Sequence, residues 1–116
     1  MPKALVELEG VPLVRRAVDA LVDGGVEALV VTIPAGFELE FNDALGGVAA
    51  PVRCVRGGAS RQESVACGLS ALQAPDDAVV LVHDAARALV PPSVVRSVSD
   101  AVAGGAASAI PVVPVV

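Results

Sequence analysis

Val80-Leu81-Val82-His83-Asp84-Ala85-Ala86-Arg87 is an apolar run that stops abruptly on an acid, two small residues and a cation. A parallel strand covered on both faces reads as an unbroken apolar run. In open α/β sheets, ligands bind just past the carboxyl ends of the strands. The stretch therefore puts Asp84 and Arg87 where a phosphorylated ligand, with or without a metal, would be held. A bare surface ion pair is the alternative and would stabilise little; the position after a buried strand favours the binding role. His83 is the only histidine, and its expected role is a structural hydrogen bond.

Outward from this stretch, the chain alternates strands with helices. Toward the N-terminus, Val14, Ala17, Val18, Leu21 and Val22 recur at helical spacing. Pro12 suits a first turn and Gly24-Gly25 a C-terminal stop, giving a helix over 11–23. Ala28 to Ile33 is a strand, broken by Pro34-Ala35-Gly36. Phe37 to Leu45 fits a short helix, and Val52 to Val55 a second strand. Ser60 and Glu63 form a capping box that opens a helix, with Val65, Leu69 and Leu72 on one face and Pro75-Asp76-Asp77 at its end. Ala78 to Val82 is a third strand, followed by a His83–Arg87 loop. Pro91-Pro92-Ser93 starts a further helix that buries Val94, Val95, Val98 and Val102 and closes at Gly104-Gly105. Ala109 to Val113 is a fourth strand. Such alternation predicts an α/β fold with a mostly parallel sheet.

Composition agrees. The chain is 116 residues, one domain at most, and 54% hydrophobic. Phe37 and Phe41 are its only aromatic residues, so Val, Ala and Leu must build the core. The net charge of -5 argues against general nucleic-acid binding. A phosphate ligand is not excluded, because local cations decide that. Lys3 is the single lysine beside seven arginines. Cys54 and Cys67 have no metal spacing and read as free buried thiols of a reducing cytosol. No signal peptide opens the chain, and no apolar stretch reaches the roughly 20 residues of a membrane span. A soluble, cytoplasmic protein is expected. Both ends read as interior to a longer protein.

Gly57-Gly58-Ala59-Ser60-Arg61 joins a strand end to a helix start. Backbone N–H groups at a helix N-terminus attract anions and polar ligand edges, and glycine permits close approach. An ordinary tight turn with a capping serine would look the same. Arg61 tips the balance toward a ligand, since a cation in the first turn opposes the helix dipole. Lys3 beside Pro2 reads as a solvated lysine on spacing alone. The residues by themselves thus reach an α/β domain with a phosphate-type ligand and stop short of the reaction.

Three motifs in order carry a resemblance: Pro2-Lys3-Ala4-Leu5, then Gly57-Gly58-Ala59-Ser60-Arg61-Gln62-Glu63-Ser64-Val65, then Val82-His83-Asp84-Ala85-Ala86-Arg87. Together they closely resemble the 2-C-methyl-D-erythritol 4-phosphate cytidylyltransferases of the non-mevalonate isoprenoid pathway. The resemblance implies a Rossmann-like nucleotidyltransferase fold in three layers. It implies an enzyme that joins CTP to the sugar-alcohol phosphate and releases pyrophosphate, with Mg²⁺. Lys3 matches the family lysine that stabilises charge on the α-phosphate. Gly57, Gly58, Ala59 and Ser64 match nucleotide-binding positions, Arg61 supports their loop, and Ala85 would lie against the nucleotide. Asp84 and Arg87 match the residues that hold the methylerythritol phosphate, with Asp84 placing the metal. A homodimer, formed through an exchanging arm, is likewise implied.

The departures are specific. The family opens with a strand and a glycine-rich triphosphate loop, and its second half carries further cations and the arm; none of these is in this sequence. Ala88 stands where proline is common. The 116 residues are therefore expected to form one incomplete domain without turnover of its own. Two other readings share the residues. Ribitol 5-phosphate cytidylyltransferase differs in the acceptor, and a non-catalytic α/β nucleotide-binding module would bind without turnover.

Overall fold

The computed structural model describes residues 2–72, 79–85, 93–94 and 107–112. A 3₁₀ turn, Lys3–Leu5, leads into a hairpin of β1 (Glu7–Leu8) and β2 (Val11–Pro12). There follow α1 (Leu13–Asp23), β3 (Ala28–Ile33), α2 (Glu38–Ala44), β4 (Val52–Arg56), α3 (Arg61–Leu72), β5 (Val79–Asp84) and β6 (Ala107–Val112). The last four strands named, β3 to β6, form one sheet in the order β4-β3-β6-β5, and each of its pairings is parallel. This is the expected α/β architecture with a parallel sheet.

Central position explains the sequence of β3. Leu29 to Ile33 are buried without a break, so both faces of the strand are covered. Around it, Val14, Val18 and Leu21 of α1, Phe41 of α2 and Ala85 beyond β5 form one continuous buried cluster. Phe41 is fully buried and fixes the short α2 against this core. Gly24 caps α1, and Gly25 takes φ 103°, a left-handed conformation that glycine adopts without strain.

Several expectations need correction. The chain does not run straight from a loop into α1. It makes a hairpin whose turn, Glu9 (φ 53°) and Gly10 (φ 81°), is left-handed at both positions, as a tight two-residue turn requires. Pro12 is the N-cap of α1 rather than its first helical residue. Arg16 closes the arrangement, its guanidinium donating to the Leu8 carbonyl.

His83 and Asp84 are not loop residues. β5 continues through Asp84, because β6 supplies ladder partners out to His83↔Pro111 and Asp84↔Val112. Cys54 and Cys67 are free but only half-buried. On α3 the buried residues are Ser64 and Gly68, and Leu69 is 49% exposed. The inner face of the helix is therefore made of small residues, with Val65 and Leu72 only half-buried. Val94 is 48% exposed rather than buried. The remainder of that expected helix lies outside the described residues. No helix among the described residues is long and apolar enough to cross a membrane.

Candidate functional site

The Gly57–Ser60 segment is folded onto the first turn of α3. It begins as a continuation of the sheet, with the Gly57 N–H donating to the Ile33 carbonyl at 2.9 Å. The capping box then forms as its residue types dictate: the Glu63 N–H donates to Ser60 Oγ at 3.1 Å. The Glu63 carboxylate reaches back one residue further than the standard pattern and accepts from the Ala59 N–H at 3.1 Å. One helical turn after Ser60, Ser64 sits beneath the loop. Its Oγ accepts from the Gly58 N–H at 3.1 Å and faces the Gly58 carbonyl at 3.4 Å.

This packing is what the two glycines permit. Neither carries a positive φ. A Cβ on Gly58 would lie 2.3 Å from Glu63 Cβ, and one on Gly57 would lie 2.7 Å from Ser64 Oγ. Their role is close approach of backbone to helix. The Gly58 and Ala59 N–H groups, expected to face a ligand, are used within the loop. A ligand at this loop would have to meet its carbonyls or the Ser64 hydroxyl, or displace these bonds.

Cross-sheet register brings the second motif to the same carboxyl end of the sheet, on its opposite edge strand. Asp84 pairs with Val112, Val112 with Thr32, and Thr32 with Val55. Residues in one such row share a face of the sheet. Asp84 therefore stands on the face that Thr32 and the Gly57 loop occupy. Strands about 4.8 Å apart place it roughly 14 Å from Val55. Ala85 follows as a fully buried turn residue. Arg87 lies outside the described residues.

Lys3 is exposed on the 3₁₀ turn that packs on α1 and α2. Its neighbours Ala4 and Leu5 belong to the same buried cluster as Ala85. Arg61, at the start of α3, is exposed. Lys3, Arg53 and Arg61 make no ion pair or side-chain hydrogen bond among the described residues. Other arginines are structural. Arg15 pairs with Asp19 at 3.1 Å and donates to the Ala44 and Gly46 carbonyls at the end of α2. Arg56 pairs with Glu38 at 3.3 Å. A hydrogen bond from its own backbone N–H, and then Arg56, hold the exposed Glu38 carboxyl below its ordinary value. Burial pushes the Cys54 thiol up.

A cleft of about 800 Å³ lies elsewhere, between the hairpin, α1 and α2. Glu7, Asp19, Glu40 and Asp43 line it, against one cation, Arg15, already committed to Asp19 and two carbonyls. Four carboxylates repel a phosphate ligand, so this cleft does not suit an anion. Among the described residues no group of three or more His, Cys, Asp or Glu could hold a metal unaided. Asp84 supplies one hard oxygen donor, which is what Mg²⁺ needs when phosphates complete its shell.

Sequence reasoning missed Thr32, and for Ser64, which it named as a nucleotide-binding position, it missed the burial beneath the loop. Ser64 acts through burial under the loop, and small residues at 60, 64 and 68, one per helical turn, were the available signal. Thr32 is the lone hydroxyl in an apolar strand. It is 1% exposed, and its Oγ1 is buried without a hydrogen bond.

Comparison with known proteins adds identity to this geometry. Residues 1–116 match the family described as IspD, 2-C-methyl-D-erythritol 4-phosphate cytidylyltransferase. The 2-C-methyl-D-erythritol 4-phosphate cytidylyltransferase of Corynebacterium diphtheriae is 46% identical over 121 residues, covering 99% of this chain and 49% of that protein. Its counterpart from Saccharopolyspora erythraea is 47% identical, covering 99% of this chain and 53% of that protein. Its counterpart from Nocardia farcinica is 44% identical, with 99% and 49% covered. The chain spans about half the length of the curated relatives it matches.

Proposed function

The chain belongs to the 2-C-methyl-D-erythritol 4-phosphate cytidylyltransferase family, and from that premise we propose that its protein transfers the cytidylyl group of CTP to 2-C-methyl-D-erythritol 4-phosphate. A phosphate oxygen of the acceptor attacks the α-phosphorus of CTP, the bond to the β-phosphate breaks, and pyrophosphate leaves. The attacking oxygen is already anionic, so no general base is required. That chemistry asks for position and charge neutralisation rather than for a protein nucleophile.

One observation carries the reading. The register row Asp84–Val112–Thr32–Val55 sets the Asp84 motif and the Gly57–Ser64 loop on one face at the carboxyl end of one sheet. In this reading the loop holds the nucleoside, while Asp84, Ala85 and Arg87 hold the acceptor phosphate side. Arg61 supports the loop. Lys3 meets charge growing on the α-phosphate as a compact point charge. Mg²⁺, held by Asp84 and the phosphates, would neutralise charge on the triphosphate. The working protein is taken to be a cytoplasmic homodimer that binds neither nucleic acid nor membrane.

The test is pyrophosphate release by the complete protein with CTP and each acceptor. Turnover with 2-C-methyl-D-erythritol 4-phosphate is expected. Turnover confined to ribitol 5-phosphate would replace the acceptor, and CTP binding without any turnover would leave a binding module. Lys3→Ala is expected to lower kcat at least 100-fold with a smaller change in KM, because the charge it meets grows in the transition state. A variant that loses CTP affinity alone would refute the role given to Lys3.

A further inference from the structure

The fold leaves one described hydroxyl buried and unpartnered, that of Thr32. At comparable burial Ser64 is satisfied by the Gly58 peptide. A buried hydroxyl without a partner costs free energy that an apolar residue of the same shape would not. Valine has that shape and stands at both preceding positions, Val30 and Val31. Strand formation therefore does not require threonine here.

The location of Thr32 is specific. It is the penultimate residue of β3, in the row that runs from Val55 to Asp84. Its Cβ lies 3.6 Å from the point where a Gly57 side chain would begin, and Ser64 Oγ lies 2.7 Å from the same point. The Thr32 side chain and the Ser64 hydroxyl thus flank the hollow that Gly57 leaves, at the N-terminus of the twelve-residue α3. The Ser64 proton points to the Gly58 carbonyl at 3.4 Å, a long and weak bond. It is the easiest proton in the loop to redirect.

We propose that Thr32 is a positioning residue for the nucleotide loop, pairing with the Ser64 hydroxyl when a ligand donor takes the Gly58 carbonyl. In the free protein Ser64 donates to Gly58. When an N–H of the bound base donates to that carbonyl, the Ser64 and Thr32 side chains rotate across the Gly57 hollow until the Ser64 hydroxyl donates to Thr32 Oγ1, and the orphan acquires its partner only in the loaded state. No covalent bond changes; two side chains rotate and one hydroxyl donates to a new acceptor. This inference rests on the cytidylyl reading, which puts a nucleotide at the loop.

The experiment compares the complete protein with Thr32→Val and Thr32→Ser. CTP affinity is measured by calorimetry and thermal stability in the absence of nucleotide. Thr32→Val is expected to match or exceed the parent in stability, yet to bind CTP about three- to tenfold more weakly, the worth of one net neutral hydrogen bond. The loss falls on KM for CTP with kcat unchanged, and Thr32→Ser restores affinity. A Thr32→Val protein that binds CTP like the parent overturns the proposal. One that fails to fold makes Thr32 merely structural and overturns it equally. A parent that does not bind CTP removes the cytidylyl reading and this inference together, whereas a null difference between parent and variant removes this inference alone.

Discussion

Gly58→Ala tests the close packing of the loop on α3. The added methyl carbon would lie 2.3 Å from Glu63 Cβ, 2.9 Å from Glu63 Oε2 and 3.1 Å from the Glu63 carbonyl carbon. Carbon atoms at rest need about 3.5–4.0 Å, so loop and helix must part by more than about 1 Å. Two of the three contacts lie on or beside the backbone, so no side-chain rotation relieves them. Separation stretches three hydrogen bonds of 3.1 Å: Gly58 N–H to Ser64, Ala59 N–H to Glu63, and Glu63 N–H to Ser60. Overpacking costs about 1–3 kcal/mol, loss of a helix cap about 1 kcal/mol, and an unpaired buried Ser64 hydroxyl about 1–3 kcal/mol. These overlap, because one movement relieves the clash and breaks the bonds. A total near 3 kcal/mol is expected. With a urea m-value of about 2 kcal/mol/M, the midpoint falls by about 1.5 M. Two further glycines calibrate the result. Gly57→Ala meets chiefly the rotatable Ser64 hydroxyl at 2.7 Å, and Gly46→Ala meets only carbonyl oxygens at 3.6 and 3.8 Å, an ordinary contact. The ranking should run Gly58, Gly57, Gly46, the last within about 0.5 kcal/mol of the parent. A Gly58→Ala loss below about 0.5 kcal/mol, or a ranking with Gly46 at the top, would refute the close-approach argument.

Phe41→Ala should cost about 3–5 kcal/mol in denaturant unfolding, because the ring is fully buried in the main cluster and α2 has no other residue at that depth. Arg15→Ala should lower stability by about 1–2 kcal/mol, more than Asp19→Asn does, since it removes the donor to the Ala44 and Gly46 carbonyls as well as the ion pair; equal losses would show that the carbonyl contacts contribute nothing. Burial raises the Cys54 thiol above its ordinary value, so at pH 8 less of it is thiolate. Its alkylation by iodoacetamide, followed by mass spectrometry, should be slower than that of a model thiol and rise as pH passes 9; a rate equal to the model thiol would contradict this.

Local signals in the sequence were legible because they act over a few residues. The Ala28–Ile33 run became β3 at those limits, and Ser60 and Glu63 cap α3 as their spacing requires. Phe37 and Leu45 proved to be the caps of α2. The Glu9-Gly10 hairpin was missed because two-residue strands leave no periodicity to read. The inner face of α3 was misjudged for a different reason. Periodicity weighs side chains by hydrophobicity, and here the small residues Ser64 and Gly68 face inward, leaving Leu69 half out. His83 and Asp84 read as loop in the sequence, since only the adjacent β6 shows that the ladder runs on to Asp84.

The sequence by itself determined the order of strands and helices, the apolar centre of the sheet, the capped start of α3 and the three motifs that carry the family. Each follows from hydrophobic period, β-branching or a side chain's reach to its own backbone. The tertiary structure alone decided which strands are neighbours. β6, distant in sequence, enters between β3 and β5, and that placement sets Asp84, Thr32 and Val55 in one row. It also decided that Ser64 is buried beneath Gly58 and that the Thr32 hydroxyl has no partner. Strand order and orphaned hydroxyls depend on contacts between segments far apart in the chain, and no local pattern encodes those.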